Sequence, residues 1–197
     1  QRNWCDLYDA LLSMWFYYLR SEDMPRLTAE WIHFDETEDY WYYFLKILKK
    51  NRPFQHKSRP YRDGAKNHME RLIKRRGRKG YLFFEQYERK EKDFYEGDVC
   101  LGTFIDYTGT QVNETLNFLL QYALKESGIE KRNNITLTNI RHTAFYLMVE
   151  EYREMFITDG DVETFATNGF TRGDNFKSTY INKVDAETKA REVRKVT

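Results

Sequence analysis

The 197 residues suit one domain, or one compact domain with arms, and the 17% of aromatic side chains can furnish a substantial core. With 32% of residues charged, no apolar run of bilayer-spanning length and no signal-peptide pattern, the composition excludes a membrane protein. The two cysteines, Cys5 and Cys100, lie far apart without metal-type spacing, which fits a reduced, intracellular setting. A net charge of +1 hides a block: residues 46–79 hold 14 Lys or Arg against Asp63 and Glu70 alone, and acidic flanks cancel them. Such a density marks a polyanion surface, because each phosphate neutralised releases condensed counterions, unless it is simply a solvated basic face.

In chain order, Asp6 is placed to cap a first helix with Leu7, Leu11, Met14, Trp15 and Tyr18 at helical spacing. Pro25 is expected to stop it, so that Arg20 to Asp23 lie at its C-terminal end. Trp31 to Phe34 reads as a short strand, 35–39 as an acidic turn and Tyr40 to Leu48 as a second strand. Lys49 to Pro53 forms a basic turn, from which Phe54 to Arg59 returns as a third strand. Ala65 to Arg76 reads as a helix with His68, Met69, Leu72 and Ile73 on one side, broken by Gly77 to Gly80.

Tyr81 to Phe84 reads as a buried strand or packing segment, and Glu85 to Asp98 as a charged loop or solvated helix. Thr110 or Asn113 starts a helix through Leu116, Leu119, Leu120, Ala123 and Leu124 that ends near Gly128. Thr138 is placed to cap a helix running to about residue 155. Asp161 to Thr167 is a short helical pattern, 168–173 a break, and Asp174 can cap a helix through Phe176, Lys177, Tyr180, Ile181 and Val184. Residues 185–197 read as a polar tail.

One stretch organises the rest. In Thr136-Leu-Thr-Asn-Ile-Arg-His-Thr-Ala-Phe145, Arg141 sits between Ile140 and an apolar helical face, where it needs an anionic partner. The phrase resembles the second arginine box of the tyrosine recombinase (phage integrase) family, in which His-x-Leu-Arg-His-Thr is usual. Trp15-Phe-Tyr-Tyr-Leu-Arg-Ser-Glu-Asp-Met-Pro-Arg-Leu27 resembles the first box, with Arg20 as its arginine and Asp23 as the acid three positions later. Asn175-Phe-Lys-Ser-Thr-Tyr-Ile181 is similar to the segment that bears the family's nucleophile and places Tyr180 39 residues after Arg141. Together the matches extend over roughly residues 5–184.

The resemblance implies a mainly α fold with a small antiparallel β-sheet, occupying 1–184, with 185–197 as a tail that docks on a neighbouring protomer. It also implies a separate preceding DNA-binding domain, in keeping with a start at Gln1 rather than Met. Arg20 and Arg141 would neutralise a phosphodiester, Tyr180 would attack it, and a hairpin lysine, Lys49 by first choice, would protonate the leaving oxygen. Lys46, Lys50, Arg52, Lys57 and Arg59 would contact DNA from the same hairpin. Asp23 would buttress nearby structure and His142 would be structural. Two positions depart from the pattern: Thr138 stands where a histidine is usual, with a hydroxyl still able to donate to a phosphate oxygen, and Phe170 replaces a histidine or tryptophan.

The function expected on this basis is site-specific DNA recombination or integration through a 3′-phosphotyrosyl intermediate. Double-stranded DNA would be the partner, with self-association into a tetramer on it, no membrane, no metal and no cofactor. The setting would be cytoplasmic, on DNA. A type IB topoisomerase shares the chemistry, and a non-enzymatic DNA-binding relative would account for Thr138 and Phe170.

Overall fold

The computed structural model describes residues 2–49, 52–60, 63–105, 111–129, 135–152, 162, 176–182, 184 and 185. Two compact units divide the chain, residues 1–141 and 142–197. The architecture is α+β: four α-helices and two small antiparallel sheets among the described residues. No described helix is long and apolar enough to cross a membrane.

The first unit opens with α1 (Arg2–Tyr17), which buries Leu7, Ala10, Met14 and Tyr17 at a spacing of three to four residues. Pro25 does not end this helix. The chain leaves it at Tyr18, whose φ of +54° is left-handed, a conformation that a bulky residue adopts only when its surroundings impose it. The Tyr18 ring is fully buried, and that burial holds the strained backbone. Nor is Asp6 a cap. It lies inside α1, wholly buried, where Oδ2 accepts the Phe84 amide hydrogen at 2.7 Å and Oδ1 pairs with Arg76.

The three-stranded sheet has the order β1 (Ile32–Asp35), β2 (Tyr40–Lys49), β3 (Arg52–Ser58), antiparallel throughout. Alternation puts Tyr43, Leu45 and Ser58 inward, all fully buried. The outer face carries Tyr40 and Tyr42 opposite Asp35 and His33. The expected basic turn is shorter than 49–53, because Lys49 and Arg52 already pair across the two strands.

Helix α2 (Ala65–Arg76) buries His68, Met69 and Leu72 and stops at Gly77, whose φ of +79° favours glycine and whose amide returns to the Ile73 carbonyl at 2.7 Å. It packs on α1 through a polar seam. Arg71 and Arg75 reach Asp9, Arg76 reaches Asp6, and the Ser13 hydroxyl lies 3.0 Å from His68 Nε2 and 3.1 Å from the Tyr43 hydroxyl. Burial of an acid on α1 is tolerable only because α2 brings guanidinium groups to it.

Leu82, Phe83 and Phe84 form a fully buried packing segment tied to Leu27 and Asp6 through backbone amides. Arg89 fastens its far end by donating to the carbonyls of Pro25, Phe83, Phe84 and Tyr87. Residues 85–98 are neither loop nor helix throughout: β4 (Glu91–Glu96) pairs with β5 (Val99–Ile105) in a hairpin turned at Asp98 and Gly97, whose φ is +59°. Strand β4 is dominated by charged residues on a two-stranded ribbon, so it shows no apolar alternation to betray it.

Helix α3 (Gln111–Glu126) buries Val112, Leu116, Leu119 and Leu120. Helix α4 (Leu137–Glu151) begins one residue before Thr138, so that threonine is not its cap. Thr136 holds that position, its carbonyl accepting the Asn139 amide at 3.0 Å while its own amide donates to Asn139 Oδ1 at 3.0 Å. In the second unit, α4 buries Ala144, Phe145, Met148 and Val149, and a π-helical turn, Lys177–Ile181, follows Phe176. Phe176, Tyr180 and Val184 are buried at four-residue spacing. Of the expected 161–167 helix only Val162 is described, in helical conformation; 168–174 with Phe170 and Asp174, and the tail from 186, lie outside the described residues.

Candidate functional site

The first unit gathers its site at the end of α1. After the left-handed Tyr18, Arg20 enters a 3₁₀ turn, Ser21–Asp23, in extended conformation, with φ −86° and ψ 155°. The turn closes on itself: the Asp23 amide donates to the Arg20 carbonyl at 3.0 Å, and Asp23 Oδ2 accepts the Arg20 amide at 2.9 Å. The Asp23 carbonyl then accepts the amides of Arg26 and Leu27. Asp23 is thereby fixed at both its backbone and its side chain.

Asp23 is 4% exposed. Burial pushes its carboxyl above the ordinary value, opposed by the Arg20 amide hydrogen bond and by the positive charges of Arg26, Arg20 and Arg141. Arg26 and Arg141 are themselves 7% and 8% exposed. Arg141 is anchored through its Nε, which donates to the Tyr18 carbonyl at 2.8 Å. The strained residue at the helix exit is thus the one whose carbonyl positions the arginine. Three guanidinium groups thus act on the Asp23 carboxylate, and guanidinium is the side-chain group whose planar fork matches an anion with paired oxygens.

Arg26 is the member that sequence reading missed. It stands in the quoted first-box segment, and its signal was only its place three residues after Asp23. Thr138 is exposed on the first turn of α4.

The second unit holds Tyr180, 6% exposed. Its hydroxyl lies 2.5 Å from His142 Nδ1, and its ring contacts those of Phe145 and Phe176 at centroid distances of 5.1 and 5.2 Å. Sequence reading placed His142 in a structural role, and the fold joins it to the phenol. The π-helical turn and the following residues bring Phe176, Tyr180 and Val184 to one side, while α4 offers Phe145 and His142, three residues apart, on one stripe.

The hairpin residues divide. Lys46 and Lys49 lie on β2 and Arg52 on β3, with Lys49 opposite Arg52 and Lys46 opposite Gln55; Lys50 lies outside the described residues. Lys57 Nζ bonds Asp35 at 2.6 Å and lies 4.2 Å from the Tyr42 ring centroid. Arg59 lies 3.7 Å from Glu38 and 5.7 Å from the Tyr40 ring centroid. Both cations therefore answer the acidic β1–β2 turn in the free chain.

A separate cavity of about 460 Å³ lies between Phe34, Trp41, Ile73 and Arg78 and is lined by none of the sequence-predicted site residues. Among the described residues no group of three or more His, Cys, Asp or Glu is placed to hold a metal ion. The chain matches no family model, no curated protein and no solved structure.

Proposed function

We propose that this chain is the catalytic part of a site-specific DNA recombinase or integrase, which cleaves and rejoins DNA through a 3′-phosphotyrosyl intermediate. The observation that carries the reading is the convergence on Asp23 of Arg20 and Arg141, the two arginines that the sequence resemblance singles out from segments far apart in the chain.

A phosphodiester resists attack because it is an anion, and the pentavalent transition state concentrates charge on its non-bridging oxygens. Arg20 and Arg141 neutralise that charge with planar forks that stay protonated at any working pH. Tyr180 forms the new bond to phosphorus, and the bond to the 5′ oxygen breaks. Lys49 gives that oxygen its proton, a step worth about 100 to 10,000-fold. The phosphotyrosyl link conserves the bond energy, so a second 5′-hydroxyl can reverse the attack and seal a new strand. Asp23 holds the first arginine's backbone, and Lys46, Lys50, Arg52, Lys57 and Arg59 meet the phosphates of double-stranded DNA. Protomers assemble as a tetramer on that DNA, so the protein resides where DNA does.

A non-enzymatic DNA-binding relative is the second reading, and Thr138 in place of the usual histidine favours it. A type IB topoisomerase would share the cleavage step without exchanging partners. The test is covalent capture: a nicked suicide duplex is incubated with the chain and the SDS-resistant adduct is sought, with Tyr180→Phe as control. The expected result is an adduct in the wild type alone. Strand transfer between two duplexes separates a recombinase from a topoisomerase; no adduct on a bound duplex would leave the non-enzymatic reading.

A further inference from the structure

We infer that His142 is the base that takes the phenolic proton of Tyr180, an assignment that rests on the strand-transfer reading above. The family resemblance gave the position a structural role. The geometry gives it a reacting atom.

A phenol with an ordinary pKa of about 10 is ionised to about one part in a thousand at neutral pH. Attack on phosphorus therefore needs an acceptor for its proton. Arginines lower the cost of a phenolate but cannot accept a proton, and a threonine hydroxyl at 138 is no base at neutral pH. An imidazole is the side chain best matched to the task. His142 Nδ1 stands 2.5 Å from Tyr180 Oη, within the reach required of a general base.

The pair is held in register from both sides. The rings of His142 and Tyr180 have centroids 5.7 Å apart with planes inclined at 32°, and Phe145 and Phe176 flank the Tyr180 ring. The phenol is almost wholly buried, whereas His142 is exposed, so an acquired proton can pass to solvent. Phe145 follows His142 by three residues on α4, so one stripe of that helix supplies both a wall for the ring and the acceptor for its hydroxyl.

The proton balance is simple. Neutral His142, carrying its proton on Nε2, accepts the Tyr180 proton at Nδ1. The Tyr180 oxygen bonds to phosphorus, the phosphorus–5′-oxygen bond breaks, and the 5′ oxygen takes its proton from a separate acid. In the rejoining step the imidazolium returns the proton to the departing phenolate.

The experiment uses the full chain and a pool of nicked suicide duplexes with randomised arms. Adduct-forming sequences are recovered from the wild type and used for single-turnover cleavage by His142→Gln and His142→Ala, each first checked for a wild-type circular-dichroism melt. Gln can keep the hydrogen bond to the phenol but cannot take its proton, so cleavage is expected to slow about 100-fold. Added imidazole should restore part of the His142→Ala rate. A 5′-bridging phosphorothiolate, whose leaving group needs no proton, should leave the His142→Gln defect in place.

Cleavage by His142→Gln at the wild-type rate would overturn the assignment and leave the recombinase reading standing. So would absence of imidazole rescue in a folded His142→Ala chain, or full restoration by the phosphorothiolate, which would make His142 the acid. Absence of any wild-type adduct would overturn the strand-transfer reading itself, and the proton-transfer role with it.

Discussion

The Nε of Arg141 donates to the carbonyl oxygen of Tyr18 at 2.8 Å, a bond spanning 123 residues to a backbone turned left-handed at φ +54°. Strain at the end of α1 and placement of a buried guanidinium are therefore one feature. Burying a non-glycine residue in that conformation costs on the order of 1–3 kcal/mol, and the bond from Arg141 is part of what holds it.

Replacing Arg141 tests that coupling. Arg141→Ala leaves the Tyr18 carbonyl without this buried donor, and unfolding in urea should show a loss of about 1–3 kcal/mol. Arg141→Lys keeps a charge but not the fork geometry, so it should recover part of the stability and little of the covalent capture. Equal adduct yields from Arg141→Lys and wild type would argue against a phosphate role.

Asp23 behaves differently. Its carboxyl is raised by burial in spite of the Arg20 amide and the charges of Arg26, Arg20 and Arg141, so folding disfavours its charged form. A carboxyl raised in the folded state binds its proton more tightly there, and stability declines as pH rises from the unfolded value through the folded one. Asp23→Asn, neutral, of equal size and still able to accept the Arg20 amide hydrogen, should therefore fold at least as stably at neutral pH while removing the negative charge that Arg26, Arg20 and Arg141 face and so slowing capture. Urea midpoints and adduct rates measured on the same preparation separate the two effects, and a large loss of stability would refute the first.

Acid should weaken the fold through His68. Burial, with the Arg71 and Arg75 charges, lowers its pKa from 6.5 to about 4, although Asp9 lies 4.0 Å away. Those same guanidiniums already occupy Asp9, which is why its attraction does not prevail. Because the folded value lies below the unfolded one, the contribution is complete above pH 6.5 and is lost as pH falls towards 4, to the extent of about 3 kcal/mol. Asp9, raised chiefly by burial, works in the opposite sense as it protonates. Urea midpoints across this interval should fall in the wild type and fall less in His68→Gln.

Two ion pairs should separate by burial. Arg76→Ala strips a partner from Asp6, which is wholly buried, and should cost about 3–5 kcal/mol with little dependence on salt. Glu85→Ala removes the exposed partner of Arg2 and should cost less than about 1 kcal/mol. Thermal melts at low and high ionic strength check both.

By itself the sequence determined the elements whose signals are local. Helix α2 lies where apolar spacing and Gly77 placed it, α3 ends by Gly128, and β-branched and aromatic runs located the first sheet to within a residue or two at most ends. Arg20, Asp23, Arg141 and Tyr180 were singled out by resemblance alone, and of these the fold sets the charges of Arg20 and Arg141 on Asp23. Tertiary structure decided everything that depends on a distant partner. Asp6 looked like a cap because nothing in its own segment reveals that Arg76 and the Phe84 amide will reach it. The β4–β5 hairpin was hidden because exposed charged strands carry no apolar alternation, and α1 ends at Tyr18 because burial of that ring outweighs its backbone preference. Arg26 beside Asp23 and His142 against Tyr180 likewise became visible only when the chain had folded, since a charge or a hydrogen bond acts through space, and sequence records only the order of residues.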